Sequence, residues 1–134
     1  MLRYMLDTNT VSFLIKESQP FLAQRIAQKG IERIAISAIV EAELLWGLAK
    51  KPQAVLITQR VMTFLAQVEV LAWDRQAAQA YAHLKKIMQY QGINLAMADM
   101  LIAAHAYSVD LILISNDQVF FKLQPHLDVQ DWTV

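Results

Sequence analysis

The chain has 134 residues and is 56% hydrophobic, enough for one domain (1–134) with one core and apolar surface left over for a partner interface. Twelve basic and twelve acidic residues cancel, which argues against a protein that coats nucleic acid, because such proteins are strongly basic. Cysteine is absent, so disulfide frameworks and thiolate metal sites are excluded, and the composition fits a reducing cytoplasm. The segment Met1 to Asp7 lacks the apolar core of a signal peptide. Asp99, His105 and Asp110 interrupt the most apolar later stretch, Leu95 to Ile114. A membrane span needs about 20 nearly uninterrupted apolar residues, so a soluble protein is expected.

In chain order, Arg3 to Leu6 reads as a short buried strand. Asp7-Thr8-Asn9-Thr10 opens a helix running to about Lys16, and Pro20 begins a second that Gly30 ends. Arg33 to Ile36 is the second strand, after which Ser37 caps a helix passing Gly47 to Lys51. Pro52 separates it from a helix over Gln53 to Gln67, followed by a strand over Val68 to Leu71. Asp74 caps a helix that reaches Tyr90 and stops at Gly92. Asn94 is the expected cap of the next, which passes Asp99 and His105 to Tyr107. Leu111 to Ile114 is a fourth strand, and Val129 to Trp132 a fifth at the edge. Strands alternating with helices, and apolar runs in place of strict alternation, predict a mostly parallel sheet of four or five strands covered by helices. Ligands bind such sheets beyond the carboxyl ends of the strands.

Four acids fall where that edge should be. Asp7 and Asp117 each follow a strand directly, although an aspartate in either place also serves as an ordinary helix N-cap. Glu43 lies early in the helix after the second strand and shares a face with Gly47; Glu41 points elsewhere. A mid-helix glycine costs stability, so it makes sense where bulk must be absent. Asp99 has only apolar neighbours from Leu95 to Ala104, with no basic residue a helical turn away. Such a carboxylate is costly unless paired or bound to a metal. His105, six residues on, falls on another face and reads as packing or support; His83, His105 and His126 lack zinc-ligand spacing. Carboxylates gathered together repel, and a hard divalent cation with oxygen-only ligands, Mg²⁺ or Mn²⁺, relieves this. The chemistry that follows is phosphodiester hydrolysis by a metal-activated water. Lys50, Lys51, Arg60, Lys85 and Lys86 are candidates for a basic rim, each equally readable as a solvated helix face.

The residues also carry a resemblance. Leu6-Asp7-Thr8-Asn9 resembles the first motif of PIN-domain ribonucleases, and Ser37 with Glu43, Leu44 and Gly47 the second. Gly92, Asp99 and the run Leu101 to Ala106 resemble the third, and Ser115-Asn116-Asp117 through Phe121 to Asp131-Trp132 is similar to the ending of VapC toxins. The motifs occur in order over nearly the whole chain. The resemblance implies a single PIN domain with a three-layer α/β/α sandwich, and a Mg²⁺-dependent endoribonuclease acting on RNA. It also implies a homodimer held inactive, in a heterocomplex, by a VapB-like antitoxin. The same resemblance assigns the metal-binding carboxylates to Asp7, Glu43, Asp99 and Asp117, and a tRNA, initiator tRNA in the nearest subgroup, to the substrate. Two departures stand out. Ala96 occupies a position where relatives often have glycine, and Phe120 one where many have an acid, leaving the fourth carboxylate to Asp117 alone.

Three rival readings remain. A haloacid-dehalogenase-type phosphatase needs a second aspartate two positions after the first, where this chain has Asn9. A receiver domain needs paired acids after the first strand and a lysine near the last. A degenerate PIN domain acting as a binding module takes its support from Phe120.

Overall fold

The computed structural model describes residues 1–134. It is an α/β fold built on a five-stranded, wholly parallel sheet flanked by helices, in the strand order β3-β2-β1-β4-β5. The strands are β1 (Tyr4–Leu6), β2 (Ile34–Ser37), β3 (Glu69–Leu71), β4 (Ile112–Ile114) and β5 (Val129–Gln130). The helices are α1 (Thr8–Lys16), α2 (Pro20–Lys29), α3 (Ala38–Ala49), α4 (Val55–Gln67), α5 (Arg75–Tyr90), α6 (Met97–Ser108) and α7 (Gln118–Phe121). A short 3-10 turn, Ile31–Arg33, leads into β2.

The central strands β1 and β2 are wholly buried, as their apolar runs require. β3 is an edge strand, and its Glu69 is exposed. Trp132, just past β5, closes the far edge by packing edge-on against Tyr4, with ring centroids 4.8 Å apart. α5 ends in a Schellman motif: Ile93 N–H donates to the Met88 carbonyl and Gly92 N–H to that of Gln89. Gly92 takes φ +68° there, the left-handed conformation that makes glycine the natural residue.

One boundary differs from expectation. Asn94 does not cap α6; the helix starts three residues later, behind Ala96, which has no side-chain oxygen to offer. The N–H groups of the first turn are left without a side-chain cap, and Asp99 stands in that turn, where the helix dipole favours an acid.

The strand order decides where a ligand belongs. The chain runs from β1 outward through β2 to β3, then crosses back to β4 on the other side of β1. β1 and β4 are therefore neighbours from which the connections leave in opposite directions, and a crevice opens beyond their carboxyl ends.

Candidate active site

Asp7 and Asp117 follow β1 and β4, the two strands at that crevice. Asp7 is 3% exposed and held at both oxygens. Oδ1 accepts from the Thr10 backbone N–H at 2.8 Å and Oδ2 from the Ser115 hydroxyl at 2.6 Å. Burial pushes its carboxyl above the ordinary value; the Ser115 and Thr10 hydrogen bonds oppose this and the Asp117 charge adds to it. The Ile114 carbonyl accepts from both the Asp7 N–H (3.2 Å) and the Thr10 hydroxyl (3.1 Å), tying the start of α1 to the end of β4.

Asp117 caps α7: its Oδ1 accepts from Val119 N–H at 3.2 Å, while its own N–H donates to Ser115 Oγ at 3.0 Å. Ser115 therefore joins two of the four acids through one oxygen. Glu43, on α3, accepts a short hydrogen bond from the Thr8 hydroxyl.

Asp99 is half-buried in the first turn of α6. Burial raises its carboxyl above the ordinary range, and the charges of Asp117, Asp7 and Glu43, in that order, push it further. No opposing influence from a hydrogen-bond donor or a basic side chain acts on it. The other three acids singled out in the sequence thus all act on the Asp99 carboxyl. No three of the four close into a ready-made coordination cage: Asp7, Glu43 and Asp117 each turn an oxygen to a neighbouring hydroxyl or N–H. The donor set nonetheless fits a hard divalent cation, being oxygen-only and uncompensated, and Mg²⁺ keeps several of its own waters.

Phe120 is 1% exposed and belongs to the core, so it offers the crevice nothing. Trp73 Nε1 bonds the Leu101 carbonyl at 2.9 Å, anchoring α6. His105 lies behind the acids, buried, with Nδ1 2.7 Å from the Ser37 hydroxyl. Ser37 in turn accepts from Ile39 N–H at the start of α3, so His105 supports the helix that carries Glu43. Burial lowers the His105 pKa, with the Asp74 charge working the other way.

Of the anticipated basic rim, Lys50 and Lys51 line a groove beside Glu43, joined by Lys16, which sequence reasoning missed. Arg60 instead donates to the Ile15 carbonyl at 3.0 Å, and Lys85 to Tyr81 Oη at 3.2 Å. The hydroxyls of Thr8 and Thr10 were also missed. The only signal for Thr10 was its place three residues after a capping aspartate.

Residues 4–124 match the PIN domain family. The chain is 32% identical to the tRNA(fMet)-specific endonuclease VapC of Salmonella typhimurium over 132 residues, 98% of this chain and 99% of that protein. It is equally similar, at 32% over 98% of its length and 99% of the relative's, to ribonuclease VapC2 of Haemophilus influenzae. The fold superimposes on the DNA-bound VapBC structure from Salmonella typhimurium with a TM-score of 0.89 and 32% identity, covering 98% of this chain and 99% of that one. It matches VapBC2 from Rickettsia felis, bound to a promoter DNA fragment, with a TM-score of 0.88 and 27% identity over 98% and 99% of the two chains.

Proposed function

Because the chain belongs to the PIN-domain family and, within it, to the VapC ribonucleases, we propose that it is the divalent-metal-dependent endoribonuclease toxin of a toxin–antitoxin pair. The observation that carries this reading is Asp99, a carboxyl on which burial and three other acids act in the same direction without any counter-charge. Asp7, Glu43, Asp99 and Asp117 are the residues that would hold Mg²⁺ or Mn²⁺. Held by these residues, such an ion would supply a water of lowered pKa and a positive charge to offset that developing on the phosphate. The chain's own contribution is positioning. Ser115 and Thr10 fix both oxygens of Asp7, Thr8 orients Glu43, and Asp117 is held between Ser115 and the first turn of α7.

The substrate we propose is a tRNA, with initiator tRNA first to be tested, on the likeness to a tRNA(fMet)-specific endonuclease. A VapB-like antitoxin is the proposed inhibitory partner, on the likeness to VapBC complexes. The toxin itself is proposed to act as a homodimer. Leu45 (43% exposed) and Trp46 (63% exposed) on α3 belong to the apolar surface that such assemblies cover.

The test is cleavage of an initiator tRNA transcript and of total tRNA by the purified protein. Cleavage is expected with Mg²⁺ or Mn²⁺, abolished in EDTA and restored by added metal. Undiminished cleavage in EDTA would sink the metal reading. A folded protein that cleaves no RNA under any condition would leave the binding-module reading in its place.

A further inference from the structure

The groove beside Glu43 has an approximate volume of 310 Å³ and lies between α1, α3 and the start of α4, with Asn9, Lys16, Gly47, Lys50 and Lys51 along it and Leu48 and Ile57 giving it an apolar side. Gly47 is the informative residue. A glycine inside a helix weakens that helix relative to alanine. Its backbone conformation does not call for glycine, and a Cβ built there would meet no atom within 4 Å. Nothing within this chain explains the missing side chain, so the bare stretch of α3 is shaped for something that approaches from outside.

The surrounding charges say what approaches. Glu43, Gly47 and Lys50 are spaced at four and three residues, so they share one face of α3 or continue it, with Lys51 just beyond. Lys16 comes from the end of α1. All three lysines are exposed. At 1.5 Å per residue, Lys50 stands about 10 Å along the helix from Glu43. That spacing lets its flexible side chain meet phosphates further along the strand than the one beside the acids. An acid cluster repels a polyanion, so a phosphodiester chain needs cations close by to lie across it. Of the exposed apolar residues of α3, Ala42, Leu45 and Ala49 lie on an adjacent part of its surface, whereas Trp46 borders the groove, its ring centroid 5.5 Å from Lys50 Nζ.

We infer that this groove is the path of the RNA backbone on the Glu43 side of the scissile bond. Gly47 is its floor, where the sugar-phosphate passes close to α3, and Lys16, Lys50 and Lys51 are its phosphate contacts. The inference rests on the ribonuclease reading above and names how that site holds its substrate.

The test uses the full chain with three variants: Gly47→Ala, Gly47→Gln and the double variant Lys50→Gln/Lys51→Gln. All three should fold, and Gly47→Ala should melt no lower than wild type. With tRNA as substrate, Gly47→Gln and the lysine pair should raise KM about tenfold, with kcat within about threefold of wild type. The lysine pair should also flatten the dependence of log(kcat/KM) on log salt by about 0.7 per lysine removed. The same substitutions in an Asp99→Asn background, with fluorescein-labelled tRNA and Mg²⁺, should weaken binding by a similar factor. That arm separates two failures. If the wild type cleaves no RNA, the ribonuclease reading falls, and tRNA binding by the Asp99→Asn series still decides the groove. Unchanged KM, binding and salt slope would overturn the groove assignment even in an active enzyme. So would a Gly47→Gln protein that handles RNA normally but no longer forms its complex with the antitoxin, since the groove would then belong to a protein partner.

Discussion

Replacing Ser115 with alanine removes one buried hydroxyl and disturbs two acids together. Ser115 is 1% exposed; it donates to Asp7 Oδ2 at 2.6 Å and accepts from Asp117 N–H at 3.0 Å. The first bond, to an ionised carboxylate 3% exposed, is worth about 1.5–3 kcal/mol. The second is an ordinary bond of about 1 kcal/mol, part of which water recovers because Asp117 is only partly buried. Together they predict a loss of about 2–4 kcal/mol at neutral pH. For a chain of this size that corresponds to a fall in Tm of roughly 10 °C. Losing the hydrogen bond also removes the largest influence opposing the upward shift of Asp7, so Mg²⁺ should bind more weakly, by about 10- to 100-fold. The assay is thermal unfolding followed by circular dichroism in EDTA, alongside the Mg²⁺ dependence of cleavage. A double-mutant cycle with Asp7→Ala, which leaves no acceptor for the hydroxyl, isolates the contact itself, with an expected coupling of about 1.5–3 kcal/mol. A coupling below about 0.5 kcal/mol would refute the reasoning, because it would mean that the Ser115 hydroxyl does not hold Asp7 in solution.

Asp99→Asn should abolish cleavage while raising the Tm of the metal-free protein by a few degrees, since it removes a charge that burial and three acids oppose. The sign of its pH dependence follows: with Asp7 and Asp99 both shifted upward from 3.8, the stability they contribute is complete below that pH and is lost as pH rises through the shifted values. The Tm gap between Asp99→Asn and wild type in EDTA should therefore widen as pH rises above the ordinary carboxylate range and narrow when Mg²⁺ is added; a gap that shrinks with rising pH contradicts the assignment. Asp117→Ala should slow cleavage about 10- to 100-fold at limiting Mg²⁺, less than Asp7→Ala or Asp99→Ala. Wild-type rates for Asp117→Ala would reduce Asp117 to the cap of α7.

The fold was legible because its signals are local and repeated. Apolar runs such as Met5-Leu6, Ile34-Ala35-Ile36 and Leu113-Ile114 can only be central strands in a sheet covered on both faces. Pro20 and Gly92 mark a helix start and a helix stop by backbone geometry alone. Asn94 misled because capping is a statement about one residue's backbone, and a good capping side chain three positions early offers an oxygen where no helix begins. Edge strands were less clear: Glu69 is exposed on β3, and β5 is only two residues long, so neither carries a full apolar run.

The site divides in the same way. Asp99 was conspicuous in the sequence because a lone acid among apolar residues violates the expected pattern, and in the structure it likewise has no compensating charge, only three further acids acting on it. The groups that orient the other acids were less conspicuous. Thr8 and Thr10 are common turn and cap residues, and although Ser115 follows the fourth strand and can bring a hydroxyl to the site, nothing local to residue 115 says that its partner is residue 7, 108 positions away. That partnership exists only because β1 and β4 are neighbours with Leu6 level with Ile114. The strand order places Ser115 beside Asp7, and the hydrogen bond follows from it. Phe120 resolves on the same principle. One turn of α7 after Asp117, it is buried in the hydrophobic core, so in this chain an acid there would have to leave the core for the crevice. Asp117, held at the end of β4 by Ser115, is already at the crevice and needs no such rearrangement.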